Sequence, residues 1–489
     1  MTDSLSQRLA DAGQDHLLEG IEALDEATGE RFKNQLESID WEGIARSSGS
    51  LAGGAAGDGL AERVAGLVES GASCELPHLI SQPQADSQSA RLRGEQLIEA
   101  GRVGVVTVAG GRGSRLGSDR PKGLLPVMPV SGRTLLEHFA ASIAERSRRA
   151  GRSIPWLVMT SPATDQATRE YFGQQQFFGL DPDQVVLFEQ GALPAIDAQT
   201  GRVLLAEPGR MALCPDGHGG MVEAMQRAEL FLWLDQRGVD TLFYHQVDNP
   251  AVLPPDPLLV GWHDLEGGQM TTRVVPRRSA GERMGVAVAV DSRTRIVEYT
   301  DLPVAAAEAT DESGRLRLWA GNIAVHVFDC RFLARAADAD RLPLHRVRRK
   351  VPYSCGHASG RVIEPDEPNA FVFERLIFDL LDLLDLPDLL DLPDLLDLPD
   401  LLDRAESGLV VEGDRGSDFL PVKQSTGEDS LESARAGLVA LHRGWLEAAG
   451  ARVGEAAEVE ITPAWALSAG DVAARVGPDD VFEGRVVLE

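Results

Sequence analysis

VGVVTVAGGRGSRLGSDRPKG, residues Val103 to Gly123, decides how the rest of the chain is read. Its first seven residues, Val103 to Ala109, form an apolar run of the length and composition of a buried strand. Gly110, Gly111, Gly113 and Gly117 then strip the following turn of side chains, while Arg112, Arg115 and Lys122 place positive charge around the bared backbone. A helix pattern follows, and Thr134-Leu-Leu-Glu137 has the spacing of a capping box at its start. A strand opening into a glycine-rich basic loop suits a polyphosphate. Two familiar phosphate loops fail on spacing. Lys122 lies five residues beyond Gly117 with Gly123 behind it, so the Gly-x4-Gly-Lys-Ser/Thr pattern is absent, and a Gly-x-Gly-x-x-Gly fingerprint begun at Gly111 would end on Leu116.

The chain has 489 residues and a formal net charge of −29. That length allows two or three domains, and that charge argues against a nucleic-acid surface, which needs a basic stripe. Cys74, Cys214, Cys330 and Cys355 are scattered without a Cys-x-x-Cys pair, so neither a disulfide framework nor a zinc ribbon is expected. The polar N-terminus has no apolar signal region and no run reaches membrane-spanning length, which makes a cytoplasmic protein with no membrane partner the expectation. Lysine is rare: Lys33, Lys122, Lys350 and Lys423 are the four among 47 basic residues. Asparagine is equally scarce, at Asn34, Asn249, Asn322 and Asn369. In so arginine-rich a chain, Lys122 and Lys423 stand out as places that want a compact charge on a flexible stem.

Residues 1–100 read as an acidic, mostly helical flanking domain. Strand and helix then alternate: WLVMT (156–160), a helix over Thr164 to Phe172, VVLFE (185–189), a helix over Gly220 to Arg237, and TLFYHQV (241–247), ending at Asp248. Such alternation predicts an α/β fold with a mostly parallel sheet, and ligands of such sheets sit beyond the carboxyl ends of the strands. The glycine loop, Thr160-Ser161, Gln190 and Asp248 all fall at those ends. Val286 to Val290, Arg295 to Tyr299 and Ile323 to Phe328 read as further strands of a sheet that becomes mixed. The expected division is a central domain over 101–381, a DLLDLP low-complexity insertion over 382–403, and a C-terminal segment over 404–489 with a small β-rich module. Proline at every sixth position rules out one long helix in the insertion; it reads as a tandem duplication, with docking of a partner as the alternative.

The loop Gly-Gly-x-Gly-Ser-Arg-Leu-Gly-x4-Pro-Lys-Gly resembles the signature of the UDP-sugar pyrophosphorylases, in the branch that holds the UDP-N-acetylglucosamine and UDP-glucose enzymes. The resemblance continues in order through PWLVMTS (155–161), EQGALPAID (189–197), CPDGHGG (214–220), HQVDNP (245–250), VEYTDLP (297–303), WAGNIAVHVF (319–328), KVPY (350–353), EPNAFVFERLIFD (367–379) and DFLPVK (418–423). It implies a Rossmann-like nucleotidyltransferase domain that joins UTP to a sugar 1-phosphate, giving a UDP-sugar and pyrophosphate. Catalysis of such a transfer is mostly positioning and charge neutralisation. By resemblance Arg115, Lys122 and Lys423 are the catalytic cations, Gly110, Gly111, Gln190 and Gly217 hold the nucleotide, and His218, Gly285, Glu298 and Asn322 hold the sugar. Asp248 is the expected ligand of Mg²⁺, which takes one or two carboxylates and leaves the rest of its shell to phosphates. One position departs: the N-acetylglucosamine enzymes tend to carry asparagine where this chain has His218, and Gly-His-Gly looks more like UDP-glucose and broad-range enzymes. The sugar therefore stays open between N-acetylglucosamine 1-phosphate and a hexose 1-phosphate. A strict glucose-1-phosphate uridylyltransferase, a silent UDP-sugar sensor and a docking scaffold are the alternatives; a sensor would lack the charged positions that are present here.

Overall fold

The computed structural model describes residues 3–48, 59–81, 87–338, 342–357, 360–384 and 408–489. The chain divides into two compact units, one of Met1–Gly59, Gln190–Met221 and Leu342–Asp379, the other of Leu60–Glu189, Val222–Arg341 and Leu380–Glu489. The second is built on a sheet in the order Leu79–Ile80, Leu409–Glu412, Met270–Pro276, Ala320–Asp329, Thr241–Gln246, Val103–Val108, Trp156–Thr160, Val185–Glu189. All neighbours along this path run parallel except Ala320–Asp329, which is antiparallel to the strands on both sides. The mixed, mostly parallel α/β sheet expected from the alternation is what forms. Val103–Val108 and Trp156–Thr160 are buried almost throughout, as strands covered on both faces must be.

Thr134 starts the helix Leu135–Ala150 as the spacing predicts: its side chain accepts the Glu137 N–H, and the Glu137 carboxylate accepts the Thr134 N–H at 2.6 Å. Two expectations need correction. The helix predicted over 220–237 is two, Met221–Arg227 and Leu230–Asp235, separated where Glu229 adopts φ 54°. The strand predicted at 295–299 is Arg293–Val297, because it pairs with Val286–Val290 through a two-residue turn at Asp291-Ser292, both with positive φ. That geometry is a type I′ hairpin, and it leaves Glu298 beyond the strand end.

The helices of the first hundred residues are shared between the units. Leu60–Glu69 packs on the Val286–Val297 hairpin, and Ser87–Glu99 crosses Pro257–Leu265. Asp3–Asp11, Glu26–Glu37 and Trp41–Ser48 belong to the other unit, where Leu5, Leu9, Phe32, Leu36, Trp41 and Ile44 form a core with Ile196, Val203, Leu205, Met211 and Phe373. Short antiparallel strands complete it, among them His345–Arg349, Ala370–Glu374 and Ile196–Asp197. The C-terminal module contains the helices Leu431–Ala448 and Ala469–Ala473 and two short parallel pairs, Arg452–Val453 with Val481–Phe482 and Glu458–Ile461 with Arg485–Leu488. From residue 385 onward the DLLDLP tract lies outside the described residues. No helix among the described residues is long and apolar enough to cross a membrane.

Candidate active site

Strands Val103–Val108 and Thr241–Gln246 are parallel neighbours in register, Gln246 opposite Val108, so the glycine loop and Asp248 leave the sheet side by side. The loop then folds back on itself. Gly113 N–H donates to Arg120 O at 2.9 Å and Lys122 N–H to Gly111 O at 3.0 Å, which returns Lys122 to the strand ends. Its Nζ stands 3.1 Å from Asp248 Oδ2, with side-chain exposures of 17% and 14%. Gly123 is required at the next position: a Cβ there would lie 2.9 Å from Leu136 Cγ and 3.2 Å from Val247 Cγ2.

The Lys423 segment comes to the same strand end from the far end of the chain. Val422 N–H donates to Asp248 O at 2.8 Å, and the Lys423 ammonium lies 5.0 Å from the Phe419 ring centroid. Burial pushes the Asp248 carboxyl upward, but the charges of Lys122 and then Lys423 outweigh it and hold the group below its ordinary value. Under these two charges the carboxylate stays ionised at neutral pH.

The rest of the glycine loop faces outward. Among the described residues the N–H groups of Gly110 and Gly111 donate to no protein acceptor, and a Cβ on Gly111 would meet nothing within 4 Å. No packing demands glycine at position 111, so the bare backbone is open to a ligand. Ser161 Oγ donates to Gly110 O at 2.8 Å and steadies that corner. Arg115 sits on the exposed turn Ser114–Leu116, with no ion pair to Asp248 or to any other acid among the described residues.

Gly285, Glu298 and Asn322 are brought together as a second cluster. Asn322 N–H donates to Gly285 O at 2.8 Å, and a Cβ at Gly285 would lie 3.3 Å from Glu298 Oε1. Asn322 Oδ1 accepts Ala324 N–H at 2.9 Å, which leaves its amide N–H groups as donors.

Gln190, Gly217 and His218 belong to the other unit. Gln190 is buried, at 8% exposure. Gly217 is demanded by the fold, with φ 87° and a would-be Cβ in conflict with the Arg375 carbonyl. His218 Nδ1 accepts Ile377 N–H at 3.1 Å, which assigns the ring proton to Nε2. Burial, with a smaller contribution from His345, lowers this imidazole to about 4, so it is neutral at pH 7 and offers one N–H donor.

Among the described residues no group of three His, Cys, Asp or Glu side chains could hold a metal ion. Asp248 is a half-buried carboxylate already paired with Lys122. That donor set fits a cation arriving with its own phosphate ligands, which is the habit of Mg²⁺. Sequence reasoning passed over Asn249, Asp418, Asp429 and Arg273, which hold the Lys423 segment; the scarcity of asparagine was the available signal for the first.

The sheet, the glycine loop and the acidic strand terminus define an α/β nucleotidyltransferase. The sequence profile of a family described as UTP–glucose-1-phosphate uridylyltransferase matches residues 74–458. A Saccharomyces cerevisiae protein named UDP-N-acetylglucosamine pyrophosphorylase is 31% identical over 391 residues, covering 78% of each chain. The Mus musculus UDP-N-acetylhexosamine pyrophosphorylase-like protein 1 is 30% identical over 475 residues, 93% of this chain and 87% of the other. Among solved structures, the Trypanosoma brucei uridine diphosphate N-acetylglucosamine pyrophosphorylase superposes with a TM-score of 0.76 at 23% identity, covering 100% of this chain and 98% of that one; the likeness is one of fold. This chain belongs to the UTP–glucose-1-phosphate uridylyltransferase family, the UDP-sugar pyrophosphorylases.

Proposed function

We propose that this enzyme transfers the uridylyl group of UTP to N-acetylglucosamine 1-phosphate, forming UDP-N-acetylglucosamine and pyrophosphate. A phosphate oxygen of the sugar attacks the α-phosphorus in line, and the bond from that phosphorus to the β-bridging oxygen breaks, pyrophosphate leaving with the electron pair. Two anions must meet, so cations on both sides of the phosphorus carry the reaction. The observation that supports this reading best is Asp248 with Lys122 at 3.1 Å and under the charge of Lys423 as well.

In this reading Lys122 and Arg115 neutralise the triphosphate and the departing pyrophosphate, and Lys423 bridges the sugar phosphate and the α-phosphate. Gly110 and Gly111 offer backbone N–H donors to the phosphates and base, Gln190 and Gly217 hold the uracil edge, and Gly285, Glu298 and Asn322 line the sugar. Asp248 would hold Mg²⁺, which supplies neutralising charge to the phosphate oxygens. No general base is needed, because the attacking phosphate is already ionised. The names of the relatives at 30–31% identity favour the N-acetylated sugar. His218, which presents a single N–H donor, favours a second reading, glucose 1-phosphate as acceptor.

A pyrophosphate-release assay with UTP, Mg²⁺ and a panel of sugar 1-phosphates decides. The expected result is a kcat/KM at least about tenfold higher with N-acetylglucosamine 1-phosphate than with glucose 1-phosphate, within reach of what pocket contacts confer. The reverse ratio would favour the second reading, and no release with any sugar would overturn both.

A further inference from the structure

The ammonium of Lys423 has to be delivered by a segment remote in sequence from the strand end it serves. That segment is fixed at alternate residues. Asn249 Nδ2 donates to Asp418 O at 2.7 Å, and Asn249 Oδ1 accepts Leu420 N–H at 3.0 Å and Ala251 N–H at 3.3 Å. Val422 N–H follows onto Asp248 O at 2.8 Å, and the N–H groups of Lys423 and Gln424 then converge on Asp429 O at 2.7 and 3.1 Å. Behind the amide, Asp418 Oδ2 pairs with Arg273 at 2.7 Å, and the other arm of that guanidinium pairs with Asp256 at 2.9 Å. Arg273 is 8% exposed at its side chain and sits at the register shift between Thr272 and Val274.

Asn249 is 3% exposed, and its amide both donates to this segment and accepts from it. Aspartate in its place would set an oxygen against the Asp418 carbonyl, and alanine would strand a buried carbonyl and a buried N–H. We infer that Asn249, backed by the Asp418–Arg273–Asp256 ion pairs, is the positioning residue that sets where the Lys423 ammonium meets the reacting phosphates. This rests on the reading of Lys423 as a phosphate contact. Asn249 touches no substrate; it acts through the loop. Because the contact it aims is one made in the transition state, its loss falls on kcat, and an error of about 1 Å in aim costs on the order of 10²-fold.

The test is a double-mutant cycle of Asn249→Ala with Lys423→Ala, read as pyrophosphate release on full-length protein whose fold is verified by circular dichroism. Asn249→Ala is expected to lower kcat by about 30–100-fold with the KM for UTP within about threefold. In the Lys423→Ala background the same change is expected to cost less than about threefold, because the group it aims is gone. A purely structural residue would lose as much activity there as in the wild type. Asp418→Asn, which keeps the carbonyl for Asn249 and removes the charge facing Arg273, carries the same cycle should Asn249→Ala not fold. Fully multiplicative losses, or wild-type kcat in Asn249→Ala, overturn the positioning role. Wild-type turnover in Lys423→Ala overturns the phosphate contact itself, and the positioning role with it.

Discussion

Lys122 and Asp248 illustrate how a residue type carries a mechanism. An ammonium 3.1 Å from a half-buried carboxylate forms a compact charge pair, which in the proposed reading a triphosphate with its cation would open and reuse. Lys122→Ala is expected to lower turnover by about two to three orders of magnitude, the size of losing a preorganised charge contact, in a pyrophosphate-release assay; turnover within threefold of wild type would contradict the role. His218→Asn tests the sugar pocket at the same scale. An asparagine Oδ1 can replace Nδ1 as acceptor of the Ile377 N–H, so the turn is kept while the ring and its Nε2–H are lost. The ratio of kcat/KM for N-acetylglucosamine 1-phosphate over glucose 1-phosphate is expected to rise, and an unchanged ratio excludes His218 as the selector. Scarce residues proved informative. Lys33 merely faces Glu37 one helical turn away, whereas Lys122 pairs with Asp248 and the charge of Lys423 also lowers that carboxyl. Of the four asparagines, Asn249 and Asn369 each donate to one backbone carbonyl and accept from backbone N–H groups. Asparagine alone offers that pair of functions on so short a stem.

Among the elements, the crossing of Ser87–Glu99 and Pro257–Leu265 is close, and it is built on two glycines. A Cβ at Gly94 would overlap the Pro257 carbonyl, and one at Gly261 the Ala90 carbonyl. Gly94→Ala is expected to destabilise the protein by about 2–4 kcal/mol through overpacking and helix displacement, measured by urea denaturation; a loss below about 0.5 kcal/mol would contradict so close a crossing. Neither glycine was legible in the sequence, because each is isolated in an ordinary helical stretch and gains meaning only from its partner. The strands were legible for the opposite reason. Val103–Val108, Trp156–Thr160 and Val185–Glu189 are apolar runs whose local composition already states their burial. The hairpin at Asp291-Ser292 misled by two residues, since neither residue is the glycine that such turns usually carry. The role of Arg273 was hidden as well, because its two carboxylate partners come from distant positions in the chain.

For the whole molecule, buried imidazoles shape the pH dependence of folding, and four core rings act beside His218, described above. Burial lowers His138, His263 and His442 to about 4 and His245 to about 3. His245 is held by Thr107 at 2.8 Å and packs edge-on against Phe139, a core residue beside the site. The unfolded chain binds a proton at each of these rings near pH 6.5, and the folded chain does so only below the lowered values. Stability is therefore full above about pH 6.5 and declines as the pH falls toward 4, by on the order of 2 kcal/mol per ring at pH 5. Asp248, whose value is depressed, gives up its contribution only below that window. Urea midpoints at pH 7 and pH 5 check this; equal midpoints would contradict it. The reaction class was legible in the sequence because its charged positions recur in one order along the chain, whereas the joining of Lys122 to Lys423 depends on the folded sheet. The most direct test of that joining is kcat for Lys122→Ala, Lys423→Ala and the double variant. Two ammonium groups acting on one set of phosphates predict a double loss smaller by at least about tenfold than the product of the single losses. A product equal to the double loss, or a single variant with wild-type turnover, would contradict a shared site.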